Sequence, residues 1–257
     1  MKTKLFLTAM LFSCILSVAK GQTAREIAEK ASDAINFESM EMVSTLKIYD
    51  NKNNVRTRQV ATAIKKFGTT TKTLIKFLSP ADVKGTSMLI YDYENESDAM
   101  WIYMPALRKT RRIVSSEKGK SFMGSEFSNA DMTKPNMDDF VYKNLGTETI
   151  NGVTCWKIES KCLNEDIEDE NGFSRKVAFI DKNSYLTYRV EYYDFDDELM
   201  KIMTISDYKK QSNGGYFAYK MEMQNVQSGR KSVMTVDKFQ LGSNLTEADF
   251  AANALGK

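Results

Sequence analysis

From residue 42 to residue 239 the chain alternates short runs rich in β-branched and aromatic residues with turn signals, at hairpin spacing. That pattern leaves room for little except one large antiparallel sheet. The first half reads as strands over Met42 to Tyr49, Val55 to Phe67, Thr71 to Leu78, Thr86 to Tyr93, Met100 to Met104 and Lys109 to Val114. In the second half Asn151-Gly152, Asn171-Gly172, Asn213-Gly214-Gly215 and Ser228-Gly229 punctuate the runs. Those runs are Val153 to Glu159, Arg175 to Asp181, Leu186 to Tyr193, Leu199 to Tyr208, Tyr216 to Val226 and Ser232 to Phe239. A sheet this wide does not stay flat, because strand twist curls it toward a barrel. Helical spacing shows at the two ends. Thr23 to Phe37 places Ile27, Ala28, Ala31, Ala34 and Ile35 on one face, with Thr23 and Glu26 forming a capping box. Thr246 caps a short closing helix to Ala254.

Residues 1–21 read as an export signal. Lys2 and Lys4 precede an apolar run from Leu5 to Val18, then small residues, with cleavage expected after Gly21 and Ala19 as the alternative. The run is too short to span a bilayer. A lipoprotein signal centred on Leu11-Phe12-Ser13-Cys14 fits poorly, because Phe12 is bulky and more apolar residues follow Cys14. Residues 22–257 are then expected to form a single domain, since no repeat or low-complexity linker interrupts them. The chain has 36 basic and 34 acidic residues, and removing Lys2, Lys4 and Lys20 leaves 33 against 34. Such a balance provides no overall field for nucleic acid. Histidine is absent, which excludes Ser-His-Asp and Cys-His catalysis and His-ligated zinc. Neither a metal nor a cofactor is expected. Cys155 and Cys162 fall in one strand-like run, roughly 23 Å apart at ~3.3 Å per residue, too far to bond without a fold-back. The acidic stretch Asn164 to Glu170 lacks the ligand spacing of a calcium loop and reads as a solvated hairpin tip.

The stretch from Met100 to Asp131 carries most of the functional signal. An apolar strand (Met100, Trp101, Ile102, Tyr103, Met104) ends at Pro105, a cationic segment follows (Arg108, Lys109, Arg111, Arg112), and then comes an apolar glycine loop, Ser121 to Ser125, with Phe127 beyond. Three ordered blocks, V-K-G-T-S-M-L-I-Y-D from Val83, W-I-Y-M-P-A-L-R-K-T-R-R-I from Trp101 and S-F-M-G-S-E-F-S-N-A-D from Ser121, resemble the outer-membrane lipoprotein-sorting family, the LolA/LolB-like superfamily, in its transporter-associated branch. The resemblance implies a mainly β protein: an incomplete β-barrel with covering α-helices, among them a short piece near Asn129 to Met132. It also implies a periplasmic, non-enzymatic and monomeric carrier. The carrier would take lipid or lipoprotein acyl chains from an inner-membrane transporter toward an outer-membrane acceptor.

Several strands are apolar on both faces. Met88 and Ile90 alternate with Leu89 and Tyr91; Met100, Ile102 and Met104 alternate with Trp101 and Tyr103; Met200, Ile202 and Thr204 alternate with Lys201, Met203 and Ile205. The chain holds 15 methionines, with Met200, Met203, Met221 and Met223 on late strands and Met123, Met132 and Met137 near the glycine loop. Methionine adapts to irregular partners, as an ordinary core or a deformable pocket requires. An apolar cavity would remove most of the cost of carrying an acyl chain through water, ~0.8 kcal/mol per CH₂. Its expected lining is Leu89, Tyr91, Trp101, Tyr103, Phe122, Met123, Phe127, Met200, Ile202, Met221 and Met223. Phe122, Met123 and Phe127 form either a flap over the cavity or a loop tucked onto the barrel end. Arg108, Lys109, Arg111 and Arg112 form either a solvated edge that blocks aggregation or a patch at the mouth for phosphates or a partner. The alternative function is a lipid-sensing or interaction module acting with a membrane transporter or signalling protein.

Overall fold

Two antiparallel meanders build the molecule, and their first and last strands meet. The computed structural model describes residues 22–35, 37–94 and 96–256; the export signal expected over residues 1–21 lies outside them. The first meander comprises β1 (Ser39–Tyr49), β2 (Val55–Phe67), β3 (Thr70–Ser79), β4 (Ser87–Tyr93), β5 (Ala99–Met104) and β6 (Lys109–Ile113). The second comprises β7 (Phe140–Ile150), β8 (Val153–Cys162), β9 (Arg175–Asp181), β10 (Thr187–Tyr193), β11 (Leu199–Lys210), β12 (Tyr216–Asn225) and β13 (Lys231–Leu241). Pairing of β1 with β13, from Met40 opposite Leu241 to Tyr49 opposite Lys231, fuses them into one 13-stranded sheet. The order is β6-β5-β4-β3-β2-β1-β13-β12-β11-β10-β9-β8-β7, so β6 and β7 are the two edges and do not pair with each other. The barrel is therefore incomplete.

That topology dictates what fills the interior. β6 and β7 are consecutive in the chain but lie at opposite edges, so residues 114–139 must travel from one edge to the other. They cross the inner face of the curled sheet. Phe122 and Phe127 are buried there in one core with Leu46, Val60, Ile75, Phe77, Met100 and Met234. The outer face of β2 to β5 has a separate cover, the C-terminal segment, whose Phe250 and Leu255 are buried against Ala63 and Leu89.

Local structure follows the chain's own signals, with some corrections. Helix α1 (Ala24–Asp33) starts at the expected capping box, Thr23 N–H donating to Glu26 Oε2 at 2.8 Å, and presses the buried Ile27 onto Ile158 and Ile180. It stops at Asp33 instead of Phe37, because Ile35 and Phe37 turn away into an aromatic cluster with Phe217 and Phe239. A 3-10 turn at Ala130–Met132 stands where a short helix was expected. The closing helix is instead two 3-10 turns, Glu247–Phe250 and Ala252–Ala254. The acidic stretch lies, as expected, at the tip of the β8–β9 hairpin, but it is coiled into a helix, α2 (Glu165–Asn171), capped by Asn164, whose side chain accepts from Ile167 N–H at 3.0 Å. Gly172, at φ 75°, ends it in the left-handed conformation. Cys155 and Cys162 are buried free thiols on β8, seven residues apart and hence on opposite faces. Burial pushes the Cys162 thiol up to about 12.

Candidate functional site

The crossing segment does not fill the hollow it spans. Between it and strands β1–β3 and β11–β13 lies a cavity of about 220 Å³, walled by Val60, Ile75, Phe122, Phe127, Met203, Met221 and Met234. A second cavity of about 250 Å³ lies under α1, between Ala28, Ala31 and Ile35 on one side and Ile158, Ile180, Met203 and Ile205 on the other. Both are predominantly apolar, and Met203 is a wall of each. A third space, of about 390 Å³, is bordered by Ile35, Ile64, Thr73, Met132 and Pro135, and so adjoins both.

The glycine loop is bolted down rather than hanging over the hollow. Glu126, nearly buried, pairs with Arg230 at 2.9 Å and accepts from Asn225 Nδ2 at 3.2 Å. Its backbone carbonyl accepts from Lys201 Nζ at 3.0 Å, and its N–H donates to Ser232 Oγ at 2.9 Å. Arg58 donates to the Met123 carbonyl. The loop is thus packed down, with Phe122 and Phe127 on the inner face of the sheet.

A more polar cavity, of about 280 Å³, lies beyond these at the Pro135–Asp139 end of the crossing segment. Asp98, Lys118, Asp131, Asp139, Lys176 and Tyr192 are among its walls. Lys118 is paired with Glu170. Burial, reinforced by Asp92, raises the Asp98 carboxyl to about 6. Between the unfolded value near 4 and that figure the native state holds a proton the unfolded chain has lost, so this group's contribution to stability falls as pH rises through the window. Asp98→Asn is therefore expected to flatten a melting-temperature decline between about pH 4 and 6 and to be the more stable form at pH 7. Parallel thermal melts at four pH values check this; parallel curves for the two proteins would contradict it.

The sequence-predicted residues divide by face. Phe122, Phe127 and Met221 line the 220 Å³ cavity, and Met223 is buried in the same core. Met123 and Met200 pack against that core without lining the cavity. Ile202 stands opposite Glu191 and Gln224 and, by alternation with Met203, faces the other way. Leu89, Tyr91, Trp101 and Tyr103 lie on the outer face beneath the C-terminal segment, Tyr91 Oη donating to the Phe250 carbonyl at 2.6 Å. They are not brought together with Phe122. Arg108, Lys109, Arg111 and Arg112 are exposed at the β6 edge, Arg111 pairing with Glu117 at 2.7 Å. They lie on or beside β6, an edge strand of the sheet. Val60, Ile75, Met234 and above all Met203 were not among the predicted lining, although alternation with Ile202 already marked Met203 as a candidate.

A family model described as an uncharacterized protein family matches residues 69–257. An outer membrane lipoprotein-sorting protein domain from Vibrio parahaemolyticus superposes with a TM-score of 0.83 at 27% identity, over 91% of this chain and 98% of its own. The chain belongs to the family of that model, a DUF1329 family. A DUF1329 family protein from Desulfovibrio piger gives a TM-score of 0.83 at 29% identity over 90% of this chain and 97% of its own. A LolA superfamily protein from Nitrosomonas europaea shares the fold, with a TM-score of 0.71 at 17% identity over 91% and 100%. Among curated protein sequences there is no match. The chain thus shares its fold with a lipoprotein-sorting protein domain and a LolA superfamily protein.

Proposed function

We propose that this family member is an exported periplasmic carrier. It takes up the acyl chains of a lipid or lipoprotein in the hollow between its sheet and the crossing segment, and moves them toward the outer membrane. No step of catalysis is part of this reading. The observation that carries it is the pair of apolar cavities meeting at Met203, one under the crossing segment and one under α1. Natural cores leave few voids larger than a water molecule, because each empty volume forfeits contacts. Retaining two such spaces along one inner face has a physical reason if a guest occupies them. Their methionine walls suit chains of varied shape. The carrier must also release its cargo, and modest, unspecialised apolar contacts favour that. An inner-membrane donor and an outer-membrane acceptor are the partners this reading requires, with the protein acting as a monomer.

The test is native mass spectrometry of protein purified from its own periplasm, followed by lipid extraction. A bound species of acyl-chain chemistry is the expected result. Protein that is empty and also ignores a fluorescent fatty-acid probe would overturn the carrier reading.

A further inference from the structure

The cavity under α1 is mainly apolar, and most of its polar strand residues fall on one line. Tyr142, Ser160, Lys176 and Tyr192 stand directly opposite one another on β7, β8, β9 and β10. All four line that cavity, and Lys176 is the only charged residue among its described walls. Its ammonium forms no ion pair and no hydrogen bond among the described residues. It rests instead near the Phe140 and Phe173 rings, 5.2 and 5.6 Å from their centroids. Burial lowers its pKa, and Asp131 is the acidic group whose charge opposes that. The Asp131 carboxylate is already engaged, accepting from Ser128 N–H at 2.7 Å and Tyr192 Oη at 3.4 Å. Ser160 is buried on the neighbouring strand, its hydroxyl also without a partner among the described residues. Tyr142 has only the thioether of Met137 at 3.5 Å. Burial holds both tyrosines in the protonated, donating form.

An ammonium beside the Ser160 and Tyr142 hydroxyls, with the Tyr192 hydroxyl held by Asp131, at the rim of an apolar space is a site for an anion that carries a hydrocarbon tail. Lys176 and Tyr192 also border the polar cavity, so the head would sit at the junction of wet and dry volumes. We propose that this row anchors the anionic head of a single-chain amphiphile, a long-chain carboxylate, whose tail lies under α1 against Ile158, Ile180 and Ile205. The inference rests on the carrier reading and narrows its cargo. A chain end without a charge would cover the half-buried Lys176 ammonium and leave it unsatisfied, which is costly.

Calorimetric titration of the full mature protein at pH 8 with dodecanoate, dodecanol, dodecyltrimethylammonium and acetate tests it. Dodecanoate is expected to bind about tenfold more tightly than dodecanol, the size of one charge-assisted hydrogen bond. The cationic amphiphile should bind more weakly than either, and acetate should not compete. Lys176→Met should make the affinities for dodecanoate and dodecanol equal. Equal binding of dodecanoate and dodecanol by the wild type, or preference retained in the variant, removes the anchor but leaves the carrier. Competition by acetate shows an anion site without a tail and also overturns the proposal. Failure of both dodecanoate and dodecanol to bind removes the carrier reading and the anchor together. The wild-type comparison decides by itself if Lys176→Met does not fold, and Ser160→Ala then supplies the variant, with a partial loss of preference expected.

Discussion

Met203→Trp is expected to weaken binding of a fluorescent acyl probe by more than about tenfold, ~1.4 kcal/mol or more, while the sheet stays folded. Met203 stands opposite Val190 on one side and Met223 on the other, at the centre of the inner face. It borders the polar cavity and both apolar ones, so a larger side chain there enters all three spaces at once. Overpacking a filled core costs typically ~1–3 kcal/mol, and here part of that strain is avoided because the indole has empty volume to enter. The comparison protein is Trp101→Leu. Trp101 is apolar, large and part of a block that marks the family, yet it packs on the outer face against the C-terminal segment with Tyr91, 5.0 Å between ring centroids. Probe affinity should be unchanged in that variant. If Trp101→Leu impaired binding and Met203→Trp did not, the ligand would lie beneath the C-terminal segment and the inner hollow would be idle.

The contrast between those two residues shows where sequence reasoning reaches its limit. Strands set between clusters of turn residues were legible, and several, such as Val55–Phe67 and Arg175–Asp181, coincide with the observed bounds. Strand β7 was missed because it is an exposed edge with a register break between Asn144 and Thr147, which destroys its period of two. The turn Asn151-Gly152 implied a strand before it as well as after it, and that signal was available. Asn171-Gly172 had the opposite ambiguity: the same dipeptide that turns a hairpin also ends a helix, and here it ends α2. The site was half legible. Alternation separates Met88 and Ile90 from Leu89 and Tyr91, but both sets are apolar because each face of β4 has its own cover. Nothing in a period of two says which cover is the crossing segment and which is the C-terminal tail. Lys176 was invisible for a different reason: an isolated lysine in a strand reads as surface until the sheet curls around it.

Phe122→Ala is expected to lower stability by about 3–5 kcal/mol without lowering acyl-probe affinity. Phe122 is 1% exposed, packed with its ring centroid 5.7 Å from that of Phe77, and it forms part of the wall of the 220 Å³ cavity. Removing it deletes buried contacts and enlarges a space that is already present. The loss would ordinarily free the crossing segment, but the backbone here has other holds. Phe122 N–H donates to the Phe127 carbonyl at 2.8 Å, Ser125 Oγ donates to the Phe122 carbonyl at 2.7 Å, and the Glu126–Arg230 pair fixes the loop tip to β13 and its neighbours. The segment should therefore stay in place, and the void beneath it should remain apolar and able to accept a guest, as engineered apolar cavities do. Chemical denaturation measures the stability term, with an unchanged m-value showing that the segment has not come away. Probe titration measures the other, and a bulkier acyl probe should gain most. Were affinity to collapse in step with stability while the m-value held, Phe122 would be a ligand contact in its own right, and the guest would press on the crossing segment instead of lying in the space beside it.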